Sequence, residues 1–153
     1  MIPEFEILEP EEQNVMFGAP ILVAILIAGA DGKIDNAEMR KAISVSSMKK
    51  VKARKDLKAF YDEVSKDFED KLKFGINKYP NDPALRQQQI VEELEKLNDI
   101  LPKLNKKFSI KYFESIKDFA KKVAEASGGV LGYMSIGYEE SKLIDLKMIK
   151  NPG

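Results

Sequence analysis

The chain has 153 residues, enough to bury one hydrophobic core without disulfides or structural metal, and its 25 Lys and Arg balance 25 Asp and Glu to a formal charge of zero. That balance argues against a nucleic-acid partner, which needs a basic excess to hold phosphates. With no Cys and no His, thiol nucleophiles, imidazole bases, the usual zinc ligands and redox pairs are excluded, and any bound metal must be a hard ion such as calcium or magnesium.

Residues 1–12 combine Pro3, Pro10 and several glutamates without helical periodicity. They read as a flexible acidic N-terminal arm, acidic where a secretory signal is basic, ahead of one folded domain over 13–150. The apolar run from Ala19 to Ala28 is about half the ~20 residues of a membrane span. It reads as a central core helix that opens near Pro20, whose fixed φ suits a first helical turn. Asp31-Gly32 then supplies a turn.

A second helix is expected from Asp35, with Asp35 and Glu38 at capping-box spacing and Met39, Ala42 and Ile43 facing inward. From Ala53 to Lys78 the residues Leu57, Phe60, Tyr61, Val64, Phe68, Leu72, Ile76 and Tyr79 recur every three or four positions. This stripe predicts a single amphipathic helix, bent or ended early at Gly75. Asp82 and Pro83 mark the start of the next, as cap and first helical residue. Leu85, Ile90, Val91, Leu94, Leu97, Leu101 and Leu104 are its inward positions, and Pro102 breaks its last turn. A fifth helix, from about Ser109 to Ala126, turns Phe113, Ile116, Phe119, Ala120, Val123 and Ala124 to the core. Tyr112 is expected to pack with its hydroxyl at the surface. After the glycine-rich stretch 128–135, a last helix near Gly137 contributes Leu143, Ile144 and Ile149. The fold class is therefore all-α, a single-domain bundle of about six to seven helices.

The residues with chemical potential sit at the first turn. Asp31-Gly-Lys-Ile-Asp35-Asn-Ala-Glu38 matches the second half of an EF-hand loop, in which Gly makes the tight turn and a terminal Glu binds bidentately. Ile27 and Gly29 occupy the positions where the first half needs Asp or Asn, so a complete EF-hand is excluded. A glycine turn followed by a capping box explains the same residues with no ion. Near the C-terminus, Ala124-Glu-Ala-Ser-Gly-Gly through Ile136-Gly-Tyr-Glu-Glu140 echoes this turn, with Ile136 aligned to Ile34 and Glu140 to Glu38. The echo suggests a pseudo-twofold pair of helix-turn-helix units, although serine and glycines replace its Asp-Gly.

On these two motifs, together with Phe60-Tyr-Asp-Glu-Val-Ser-Lys-Asp-Phe68, the chain resembles the TerB-like family of bacterial tellurite-resistance proteins over residues 13 to 150. The resemblance implies an all-helical fold and a cytoplasmic stress-response module that is not an enzyme. It implies partners among other stress-operon proteins, some of them at the inner face of the membrane. Carried over residue by residue, it also implies a divalent-cation site at Asp31, Asp35 and Glu38, with Glu140 as the second-copy counterpart. The alternative is a metal-free helical scaffold for protein interaction, in which those residues only cap. Catalysis by carboxylates alone is chemically feasible, but the acids here fall mostly on predicted polar faces.

Overall fold

The structure, a computed structural model, describes residues 2–29, 36–52, 55–127, 143 and 145–153. Among the described residues all regular elements are helical. They are α1 (Pro10–Ala28), α2 (Asn36–Lys52), α3 (Lys55–Lys66), α4 (Phe68–Lys78), α5 (Pro83–Glu95), the single turn α6 (Leu97–Ile100) and α7 (Lys106–Ser127). Short 3-10 turns lie at Pro3–Phe5 and Leu101–Lys103. The all-α class expected from the sequence is the class observed.

Helix α1 is the axis of the bundle, touching α2, α3, α4, α5, α6 and α7, while α7 packs most extensively on α1 and α2. Nearly every side chain from Ala19 to Ala28 is buried, as an apolar run unbroken around the helix requires. The helix starts ten residues earlier than Pro20 predicts. Its N-terminus closes through a reciprocal capping box, in which the Glu9 side chain accepts from the Glu12 backbone and the Glu12 carboxylate accepts from the Glu9 N–H at 3.0 Å. Lys103 adds an ion pair to Glu12 at 2.6 Å. These hydrogen bonds, that from Lys103 foremost, hold the Glu12 carboxyl below its ordinary value. At 19 residues, α1 is long and apolar enough to cross a membrane by length and composition, yet most of its apolar window is packed inside the fold.

Pro20 therefore lies inside α1, where it removes the N–H that the Met16 carbonyl would accept. The Tyr112 hydroxyl, buried in α7, donates to Met16 O at 2.9 Å and takes that place. Two more polar groups on the same face of α7 are also satisfied internally. Ser109 Oγ donates to Leu101 O at 2.8 Å, and Ser115 Oγ pairs with the Tyr61 hydroxyl at 2.5 Å. Ser109, Tyr112 and Ser115, three residues apart, thus form a buried polar line against α1, α3 and the 3-10 turn at 101–103. The expectation of a surface-reaching Tyr112 is corrected by this partner.

Burial raises the phenol of both Tyr61 and Tyr112 above the ordinary tyrosine value. The unfolded chain ionises these groups near pH ~10, while the folded chain keeps them protonated. Stability is then intact below pH ~10 and falls as pH rises, by about 1.4 kcal/mol per pH unit for each tyrosine. Urea midpoints measured across this range are expected to drop together with the appearance of phenolate absorbance. Tyr61→Phe should flatten the slope.

Residues 2–8 are not a free arm. Ile2, Phe5 and Leu8 are buried, and the Gln13 amide donates to Phe5 O at 3.0 Å and Leu8 O at 3.1 Å. Phe5 meets Phe17, Phe60 and Phe108 edge-on at centroid distances of 5.1, 6.2 and 5.8 Å. The apolar members of the segment outweigh its glutamates because those glutamates project outward.

The predicted helix over 53–78 is two helices. Asp67, with φ −137° and ψ 27°, breaks it, and Gly75 lies inside α4 rather than ending it. A Cβ at Gly75 would come within 2.7 Å of Ile25 Cδ1, the tip of a side chain on α1 that would have to shift, so α4 packs on α1 with no spare room there. Asp82 caps α5 as expected, accepting from Leu85 N–H at 2.9 Å, with Pro83 the first helical residue. The helix ends at Glu95, however, and the chain continues through α6 and the 3-10 turn. Leu85 is exposed and its neighbour Arg86 is buried instead, its guanidinium donating to Gly29 O at 2.9 Å and Asn81 O at 3.4 Å. At the C-terminal end, Leu143, Leu146 and Ile149 are buried. The Asn98 side chain clamps this segment by donating to Met148 O at 2.9 Å and accepting from Lys150 N–H at 2.7 Å.

Candidate functional site

Of the four predicted cation ligands, Asp31, Asp35 and Glu140 lie outside the described residues, as does the side chain of Glu38, whose backbone belongs to α2. The C-terminal echo lies outside them too, apart from its first residues at the end of α7. Among the described residues, no group of three or more Asp, Glu, His or Cys side chains is placed to hold a metal ion. The donor set itself, four carboxylates and no nitrogen or sulfur, suits a hard cation such as calcium or magnesium.

A different site is formed by the described residues. Between α1, α3, α4 and α5 runs a groove of about 480 Å³. Its floor is apolar, with Phe17, Ile21 and Leu22 from α1 and Val64 from α3. Gly18 lines it as well, with open space where a side chain would stand, since a Cβ there would meet nothing within 4 Å. The far wall follows from the break at Asp67. Once α4 starts afresh at Phe68, its buried face is Phe68, Leu72 and Gly75, and Phe68 packs edge-on to Phe119 at 6.2 Å. Lys71, Phe74 and Lys78, spaced three and four apart, then form a ridge along the groove. Phe74 is 68 % exposed, one of the few large apolar side chains left in water.

Charges of both signs ring this groove. Lys66 pairs with Glu63 at 2.6 Å and Lys71 with Asp67 at 3.5 Å, both between well-exposed side chains, where such pairs contribute little stability. Lys78 lies over the Tyr79 ring, 5.6 Å from its centroid, and Glu93 closes the α5 side. The hydrogen bond from Lys66 lowers the Glu63 carboxyl, and partial burial raises the Tyr79 phenol, with Glu93 adding to the effect. Both shifts move away from neutrality. Neither group is therefore poised as an acid or base near pH 7.

Sequence reading did not single out this groove. The available signal was Phe74, an aromatic residue off the stripe traced by Leu57, Phe60, Val64, Phe68 and Leu72. Gly18, three residues after Val15 within an apolar helix, is the other. Comparison with protein families, with characterised proteins and with solved structures gives no match to this chain.

Proposed function

We propose that the protein is a non-enzymatic binding module whose groove between α1 and α4 receives an apolar side chain from a partner protein. The open floor at Gly18 beside the exposed Phe74 carries this reading, because an apolar hollow rimmed by polar groups is what a docked hydrophobic anchor requires. The shifts of Glu63 and Tyr79 away from neutrality support binding over catalysis. Small aromatic fragments titrated into dilute protein should move the amide resonances of Gly18, Ile21, Val64 and Gly75. Gly18→Leu, which fills the hollow, should abolish those movements. Unchanged spectra at saturating fragment would overturn the groove as the site.

The resemblance to the TerB-like family supports a second arm of the proposal, a cytoplasmic stress-response role in which Asp31, Asp35 and Glu38, with Glu140, hold a divalent cation. Calcium is then expected to raise the melting temperature, since a ligand that binds only the folded chain stabilises it by mass action. Asp35→Ala and Glu38→Ala should remove that increment. If calcium and magnesium leave the melting temperature unchanged at millimolar concentration, the residues are caps. Each alanine then costs about 1 kcal/mol with no ion dependence.

A further inference from the structure

We infer that the occupant of this groove is a second copy of the same chain, docked about a two-fold axis so that each Phe74 enters the hollow beside the other copy's Gly18. The inference rests on reading the groove as a docking site.

Knob and hollow lie on one surface. Phe74 stands on the ridge of α4 at 68 % exposure, and the open space at Gly18 lies across the same groove. A two-fold contact applies one patch to itself, so a patch that carries both a protruding aromatic and a recess is complementary to its own copy. The rim points the same way. Three lysines, Lys66, Lys71 and Lys78, and three carboxylates, Glu63, Asp67 and Glu93, surround the groove. A strongly acidic or strongly basic partner would gain from half of these charges and be repelled by the rest. All three carboxylates already pair within the chain, Glu63 with Lys66, Asp67 with Lys71 and Glu93 with Lys96, so the rim is close to neutral and suits a partner without net charge, which a second copy is. At long range nothing opposes the encounter, because 25 positive and 25 negative side chains leave the chain without net charge, a condition that favours association.

The test is sedimentation equilibrium on the full chain from low micromolar to near-millimolar concentration. The average mass is expected to rise from 17.3 kDa toward twice that value. Phe74→Glu, at an exposed position that the fold does not depend on, should weaken association about tenfold or more with an unaltered melting curve. Gly18→Leu closes the recess from the other helix and should do the same. A wild-type mass that stays at that of one chain throughout overturns the second-copy assignment, and so does a dimer that survives both substitutions. If aromatic fragments still bind the groove of a chain that remains monomeric, only this inference falls. A groove that takes neither fragments nor a second copy sinks the docking reading as well.

Discussion

Phe5→Ala is expected to destabilise the protein by about 3–5 kcal/mol, the cost of emptying a fully buried aromatic site that the surroundings only partly refill. Phe5 is 0 % exposed and stands at the meeting point of Phe17 on α1, Phe60 on α3 and Phe108 on α7. One truncation therefore loosens three helices. Such a loss is a large share of the 5–15 kcal/mol that holds an ordinary domain folded. For a chain of this size it corresponds to a fall in melting temperature of roughly 10 °C. Ile7, two residues on, is 69 % exposed, and Ile7→Ala should stay within about 0.5 kcal/mol of wild type. A mobile arm would make both substitutions equally silent, so paired urea melts decide between a docked segment and a free one.

The sequence is legible where the chemistry that fixes the structure is itself local. The Asp82 cap with Pro83 behind it needs only its own helix turn, and the inward set of α7 follows from helical spacing alone. Where a distant partner or a change of chain direction decides, the local pattern carries no trace of it. The acidic composition of residues 1–12 gives no hint that Phe5 has three aromatic neighbours on three helices. The buried face of α5 is Arg86, Ile90 and Leu94 at steps of four, so Leu85 falls off it, and the Gly29 carbonyl, 57 residues away, lets a charged Arg86 stand there. Asp67 interrupts a stripe whose apolar spacing continues unbroken into α4, so periodicity cannot see the break. The groove was illegible for the same reason: its two defining residues are an aromatic off the apolar face and a glycine that matters only for what it leaves open.

Tyr112→Phe, which removes a single oxygen atom, is expected to cost about 1–3 kcal/mol, because the buried Met16 carbonyl then loses its donor. This pairing spans 96 residues and falls on the carbonyl to which Pro20, four residues on, has no N–H to offer. The dependence can be measured. Pro20→Ala restores an N–H at the position from which a regular helix would bond Met16 O. It also removes the ring's clash with that carbonyl, an interior-proline penalty of about 3 kcal/mol in an unconstrained helix. In the Pro20→Ala background the Tyr112 hydroxyl is one of two donors for the same acceptor, and its deletion should cost well under half as much. The double-mutant cycle then shows a coupling of about 1 kcal/mol or more between residues 20 and 112, larger than the few tenths expected of independent sites. Strict additivity would mean that the hydroxyl and the missing amide do not serve one carbonyl. Tyr61→Phe provides the contrast, since the Tyr61 hydroxyl pairs with the Ser115 hydroxyl on α7. Its cost should not change when Pro20 is replaced.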